Sequence, residues 1–414
     1  MVDLPRQSVL VGGLDDWTGE MPLIVEPRLV QKIADLFDPP RTDLTLKRLP
    51  AMSDGFGGGR SGLTAWRFPE WFITQPIDRR DDETGRRSRM LVKGNRLNGK
   101  KLILELERGR PLPVVPVRFV RACKRGHISD VDWHAFVHDG RRDCKRRLWI
   151  DERGTSGDLA EVFVRCACGQ QKSLALAVSS SGTLGRCNGN RPWLGNYAHE
   201  SCQESSRLLI RTASNAYFPQ LISAITLPDR NESLKEAVKA VWTEVGEMVQ
   251  EPADLAFVRR KAKVDETLSG FDDDAVFAMI QELKGGSETD TRTIKQAELE
   301  TLIACETEIG EDRPDGDFFA RTLPPEEWND NPTMQPFERV VRVHRLREVV
   351  AQVGFTRFEA VSADIDGELD IAVEPAELAR QARWLPAIEN RGEGLFLQVR
   401  TDAIEAWLQR PAVQ

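Results

Sequence analysis

The chain has 414 residues, with 40% apolar and 29% charged side chains, as in ordinary globular proteins of several domains. Its formal net charge of -8 argues against indiscriminate coating of nucleic acid, and no apolar run approaches the ~18 residues that a membrane span needs. The start, Met1-Val-Asp-Leu-Pro, has neither the basic nor the apolar stretch of a secretory leader, so the expected compartment is a reducing cytoplasm, where seven cysteines point to metal rather than to disulfides.

Along the chain, 1–115 reads as an N-terminal α+β region. Ser53-Asp-Gly-Phe-Gly-Gly-Gly-Arg-Ser-Gly62 is a glycine linker without the lysine of a phosphate-binding loop. Residues 64–76 read as an aromatic strand broken by prolines, and 101–107 as an alternating strand. Val114-Val-Pro-Val-Arg-Phe-Val is a further strand that leads to Cys123. A Cys/His-rich region follows over 116–228, in which Val162-Phe-Val-Arg is a strand ending at Cys166 and 172–178 a short apolar element.

After Pro228 the texture becomes helical. Leu234, Val238, Val241, Trp242, Val245 and Met248 recur at helical spacing, and 252–261, 273–283 and 291–305 also read as helices. This partly acidic insert spans 229–335, ending in a Pro/Asp/Glu-rich linker over 314–332. Cys305 lies on an apolar stretch and is expected in a core. The final region, 336–414, is expected to be α+β: an amphipathic helix over 337–353 carrying His344, then short strands and two helices over 375–383 and 401–409. The fold class is therefore α+β and multidomain, with small metal knuckles set among short sheets.

The window from Cys123 to Cys202 holds six of the seven cysteines and four of the five histidines. Thiolate and imidazole are the usual ligands of structural zinc, so Zn2+ is the expected cofactor. Six cysteines and two histidines suffice for two tetrahedral sites. Cys166-Ala-Cys168-Gly and Cys123-Lys-Arg-Gly-His127 resemble tight knuckles in which glycine lets the backbone turn. One expected site joins Cys123, His127, Cys166 and Cys168, with Cys144 as an alternative to His127. The other joins Cys144, Cys187 and Cys202 with His138 or His199. His134 and His138 stand four apart, on one helix face, but Ala135 occupies the place where a zinc hydrolase carries its glutamate. A cysteine-rich set favours a closed structural site.

Charge is unevenly spread. Residues 79–147 hold 20 Lys and Arg against 9 Asp and Glu. The densest cluster is Arg141, Arg142, Lys145, Arg146 and Arg147, with Lys124 and Arg125 in the first knuckle. These are solvated loop residues or a cationic face for nucleic-acid phosphates. Trp133 and Trp149 are core residues or stacking platforms for bases. No nucleophile elbow, dinucleotide-binding fingerprint or helicase motor motif is present. A metal-dependent nuclease would have to use His134, His138 or the pair Glu105 and Glu107 near Lys100 and Lys101.

Several blocks resemble the DrmB family, a component of DISARM anti-phage systems. They include Pro116-Val-Arg-Phe-Val-Arg-Ala-Cys-Lys-Arg-Gly-His-Ile-Ser-Asp-Val-Asp-Trp, Leu148-Trp-Ile-Asp-Glu-Arg-Gly-Thr-Ser-Gly-Asp-Leu-Ala-Glu, Arg191-Pro-Trp-Leu-Gly, Leu209-Ile-Arg-Thr-Ala-Ser-Asn-Ala-Tyr-Phe-Pro-Gln and Leu385-Pro-Ala-Ile-Glu-Asn-Arg-Gly-Glu-Gly-Leu-Phe-Leu-Gln. The resemblance implies a partner, a superfamily-two helicase of the DrmA type, and a pair that engages invading DNA. ATP hydrolysis would then belong to the partner, and this chain would be a non-catalytic accessory subunit that lines the DNA path. The expectation carried forward is a zinc-stabilised helicase accessory. A metal-dependent nuclease and a pure protein scaffold are the alternatives.

Overall fold

The computed structural model describes residues 1–414 except 38–39, 51–61, 76–78, 82–85, 99–101, 107–109, 155, 181, 196, 229–231, 286–292, 361–374 and 414. The glycine linker, Glu107, Lys100 and Lys101 therefore lie at least in part outside the described residues. The chain forms two compact units, one of residues 1–223 and 350–388, the other of residues 224–349 and 389–414. The α+β, multidomain class expected from the sequence is what the chain adopts.

The first unit is built mainly on short antiparallel sheets, with one parallel pairing of Thr45–Lys47 to residues 384–386. The largest has the strand order Gln171–Ser173, Val162–Cys166, Leu148–Glu152, Arg86–Lys93, Trp71–Thr74, Leu112–Pro116 and Ile103–Leu104, with Arg79–Asp81 also paired to Arg86–Lys93. Its buried side chains Leu148, Ile150, Val162 and Val164 alternate along their strands and pack against Trp133, Phe136 and Val137 of the short helix Trp133–Val137. Asp132 caps that helix by accepting a hydrogen bond from the Ala135 amide at 3.0 Å. A second sheet, Ile128–Ser129, Phe119–Ala122 and Arg207–Ile210, buries Val120, Ala122, Ile128 and Leu209 against Trp193, Leu194 and Phe355.

Two expectations fail in this unit. The alternating strand over 101–107 shrinks to Ile103–Leu104. Residues 375–383 are not helical. The Asp15 carboxylate accepts hydrogen bonds from the backbone amides of Arg380, Gln381 and Ala382 at 2.6, 2.9 and 2.7 Å, and a helix would have needed those donors internally.

The second unit holds the helices Glu232–Ala240, Trp242–Val245, Pro252–Val258, Ala262–Leu268, Asp273–Gly285 and Ile294–Ile303. The helical spacing read from Leu234 to Met248 is broken at Val241, between Glu232–Ala240 and Trp242–Val245, and Ala262–Leu268 is an additional helix. Leu234, Val238, Val241 and Val245 nonetheless form one core with Leu255, Val258, Val264 and Leu268. The expected linker over 314–332 contains the strand Phe318–Thr322, with Phe318, Phe319 and Ala320 buried.

The expected helix over 337–353 is instead part of the strand Phe337–Thr356. Residues 341, 343, 347, 349 and 351 are all buried, which is a period of two. Arg347 masks this pattern in the sequence. It is buried because it pairs with Glu389 at 2.8 Å and donates to the Thr226 hydroxyl at 2.7 Å. Cys305 is fully buried in the core with Phe318, Ala320 and Val341, as expected. His344 rests against the Phe319 ring.

Two neighbours on one helix give a clean test of this helical core. Leu255 is 0% exposed and Phe257 is 59% exposed. Leu255→Ala should destabilise the helical unit by about 2–5 kcal/mol, whereas Phe257→Ala should change it by under about 0.5 kcal/mol. Urea unfolding followed by far-ultraviolet circular dichroism measures both.

Candidate metal centres

The structure brings the Cys/His window together as two groups of four. Cys123, His127, Cys187 and Cys202 form one group, and His138, Cys144, Cys166 and Cys168 the other, with the ligand atoms of each group all within 4.8 Å of one another.

Each group starts from the same backbone turn. After the strand Phe119–Ala122, the Cys123 amide donates to the His127 carbonyl at 3.1 Å and the Gly126 amide donates to the Cys123 carbonyl at 3.1 Å. After Val162–Cys166, the Cys166 amide donates to the Gln170 carbonyl at 2.8 Å and the Gly169 amide to the Cys166 carbonyl at 3.0 Å. Gly126 and Gly169 have φ of +82° and +101°, a conformation in which other residues are strained. The shared Cys-x-x-Gly pattern thus encodes a tight hairpin turn closed by a left-handed glycine. The second ligand differs: it is the fifth residue of the first turn, His127, and the third of the second, Cys168.

The remaining ligands are delivered by strand register. Ala122 pairs with Arg207, so the chain just before Arg207 runs back towards the first turn and presents Cys202. Cys187 faces it from a narrow loop, in which the Gly189 amide donates to the Cys187 sulfur at 3.3 Å. Leu148 pairs with Cys166, so the residues just before Leu148 pass the second turn and present Cys144, whose sulfur lies 3.6 Å from that of Cys166. The helix Trp133–Val137 ends at His138, whose Nε2 lies 3.2 Å from the Cys168 sulfur.

The two expected pairings are therefore corrected. Cys166 and Cys168 do not join Cys123 and His127, and Cys144 does not join Cys187 and Cys202. The second group is nested in sequence inside the first. His199 enters neither group. It is exposed, and its Nδ1 is paired with the Tyr197 carbonyl at 2.9 Å. His134 also stays outside, its ring stacked on His138 with centroids 6.4 Å apart.

Both histidines are oriented by a second contact. His127 Nε2 lies 2.8 Å from the Glu200 carboxylate, so it carries the proton and leaves Nδ1 facing the Cys123 sulfur at 3.3 Å. His138 Nδ1 donates to the His134 carbonyl at 2.8 Å, which leaves the Nε2 lone pair for the sulfur group. A carboxylate or carbonyl behind a ligating imidazole fixes its tautomer and raises its basicity.

The thiols share protons unequally. Hydrogen bonding from Cys123 pulls the Cys187 thiol down to about 4 despite burial, while the bond to Cys187 and burial push Cys123 up. The Gln170 amide, with help from His138, pulls Cys168 down to about 6, and burial pushes Cys166 up to about 11. Each group thus already favours a thiolate, the form that binds metal. Three thiols and one imidazole per group suit a soft or borderline divalent ion in a closed four-coordinate site.

The cationic residues divide into two kinds. Lys124 pairs with Glu204 at 3.5 Å, Arg125 with Glu200 at 3.3 Å and Arg142 with Asp132 at 2.8 Å. Arg141, Lys145, Arg146 and Arg147 are exposed, and no ion pair joins them to any described carboxylate. They sit on a segment without regular structure that carries Cys144. Trp133 is fully buried in the core, and the half-buried Trp149 lies under the Arg165 guanidinium at 4.6 Å. Glu105 accepts a hydrogen bond from Asn98 at 2.9 Å and joins no metal-ligand group.

Residues 1–218 match the sequence profile of a family described as Domain of unknown function (DUF8724). The chain belongs to that family. It is also similar to the DISARM protein DrmB of Bacillus paralicheniformis (strain ATCC 9945a / NCIMB 11709 / CD-2), with 32% identity over 309 residues. That alignment covers 71% of this chain and 52% of the relative, so the chain spans about half the length of the curated relative it matches. Both ligand groups fall inside the profile match. The DrmB resemblance read from the sequence blocks is thereby shown.

The grouping has a stoichiometric consequence. The chain purified under reducing conditions should carry two metal equivalents, and Cys202→Ser and Cys166→Ser should each lose one. Cys305→Ser and His199→Ala should retain both. Elemental analysis of the double variant Cys123→Ser/Cys166→Ser decides between the groupings: it should lose both equivalents here, whereas the grouping expected from spacing would lose only one.

Proposed function

We propose that this chain is a zinc-stabilised, non-catalytic accessory subunit of a DISARM-type anti-phage complex, acting in the cytoplasm beside a superfamily-two helicase of the DrmA type and helping to hold DNA. The carrying observation is the exposed set Arg141, Lys145, Arg146 and Arg147, free of described ion pairs and positioned on the segment that supplies Cys144. The resemblance to the DISARM protein DrmB supports the defence role. Among the described residues, no helix is long and apolar enough to cross a membrane, in keeping with a role on nucleic acid away from the bilayer.

Zinc is the metal best suited to the donors. Tetrahedral zinc with Zn–S bonds of about 2.3 Å places its ligands about 3.5–4 Å apart. The separations of 3.2, 3.3 and 3.6 Å within the two groups are close to that range. Filled by four protein ligands, such sites leave no position for substrate, which supports a structural role over the nuclease alternative. Residues proposed for that alternative are otherwise engaged: His138 is drawn into a thiol group and Glu105 accepts from Asn98.

Phosphate contacts make binding salt-dependent, with a slope of about -0.9 per phosphate neutralised. Replacing Arg141, Lys145, Arg146 and Arg147 together with serine, at one phosphate each, should reduce the slope of log K against log salt on duplex by about 3.6 units and weaken DNA binding at low salt. Arg125→Ser, which removes a paired cation, should change it little. Fluorescence anisotropy with duplex and single-stranded probes, on the purified complex, measures both. Co-purification of the tagged chain from its host should recover the helicase. Recovery of the chain alone, with an unchanged salt slope, would leave the scaffold reading in its place.

A further inference from the structure

The first ligand group is backed by a buried cation that no described carboxylate pairs with. Arg357 lies in the 350–388 part of the first unit and is 2% exposed. Its Nε donates to the Gly126 carbonyl at 2.8 Å, and a second nitrogen donates to the Ala216 carbonyl. Gly126 is the turn residue between the ligands Cys123 and His127. The guanidinium also lies 4.9 Å from the centroid of the Phe355 ring and 5.9 Å from that of Trp193. Every one of these partners is neutral.

A charge buried among neutral groups is costly unless a counter-charge is near. Burial pushes the guanidinium down to about 10, which still leaves it protonated at neutral pH, and the charges that act back on it are those of Tyr217 and Cys123. No described carboxylate pairs with it. Of the other cations around this group, Lys124 faces Glu204, and Arg125 and Arg191 face Glu200 at 3.3 and 3.2 Å, while Arg121 donates to the Ser129 hydroxyl and the Asp130 and Leu184 carbonyls and also interacts with Cys187. Three thiolates and an imidazole around a divalent ion leave one net negative charge. A buried guanidinium one residue from His127 supplies the opposite sign.

We propose that Arg357 is the counter-charge of the Cys123, His127, Cys187 and Cys202 centre, so that metal retention there, and not at the nested centre, depends on its positive charge. The proposal rests on the metal reading given above. Arg357 is a positioning residue: it touches the turn, not the ion. The same contact fixes the turn sterically. A Cβ on Gly126 would lie 2.5 Å from the Ala376 Cβ, so residues from the far end of the unit close over the back of the turn.

The test uses the full chain loaded with Co2+, whose thiolate absorption reports each centre, and a competing chelator. Cys166→Ser and Cys202→Ser assign the two release steps. Arg357→Met should release metal from the first centre at about 10–100-fold lower chelator concentration, with the nested centre unchanged. Arg357→Lys, which keeps the charge but not the planar hydrogen bonds, should stay close to the parent. Equal release from parent and Arg357→Met would overturn the proposal and leave the metal reading standing. Equal loss in Arg357→Lys and Arg357→Met would overturn it in favour of a hydrogen-bonding role. Should Arg357→Met not fold, Arg357→Gln against Arg357→Lys makes the same comparison. A parent chain that takes up no metal would overturn the metal reading itself.

Discussion

Crowding of thiols is the constraint on which the Cys/His window depends. Three cysteine sulfurs and an imidazole within a few ångströms cannot all ionise, because like charges so close repel. The structure resolves this by sharing protons unequally, with Cys187 and Cys168 as the acidic members. A divalent ion would remove the conflict, because it takes every thiol as thiolate. The loops that carry Cys187, Cys202 and Cys144 have little regular secondary structure. The loops of Cys187 and Cys202 are tied to each other by isolated bridges, Arg186 with Ser205 and Asn190 with His199, and by the Cys187 amide on the Glu204 carbonyl at 2.8 Å.

Nesting gives the two centres different demands. The inner group draws its ligands from 138–168 and closes on the helix Trp133–Val137 and the hairpin of Leu148–Glu152 with Val162–Cys166. The outer group must wait for Arg207–Ile210 to pair with Phe119–Ala122 and bring Cys202 back. Its back is then sealed by Phe355, Arg357 and Ala376 from much later in the chain. Loop-closure entropy favours the local centre first.

The sequence made the ligand types, the two glycine turns and the strand ending at Cys166 readable, because each depends on residues only a few positions apart. It did not reveal the partition of ligands. That follows from two antiparallel registers, Ala122 with Arg207 and Leu148 with Cys166, and register is a long-range property. Choosing His138 over His199 needed the end of a five-residue helix to lie beside Cys168. The helix expected over 337–353 failed because one buried arginine disguised a period of two as an amphipathic stripe. The helix expected over 375–383 failed because Asp15, far away in sequence, captures its amides. The burial of Arg357 has no local signature, since everything that buries it comes from elsewhere.

The inner centre and the cationic segment cannot be separated physically. Residues 141–147 have no regular secondary structure, and their described backbone anchors are the Arg141 amide on the His138 carbonyl at 3.2 Å and the Arg147 carbonyl on the Ala167 amide at 2.9 Å. Both anchors are adjacent to ligands of the inner group. Five exposed cations in seven residues, four of them without a described ion pair, repel one another, so a segment of this kind spreads out unless something fixes its backbone. Cys144, in the middle of the run, is the fixed point. On the proposed reading, a metal that serves only structure would still govern how the four cations face phosphate, because it defines the path of the chain that carries them.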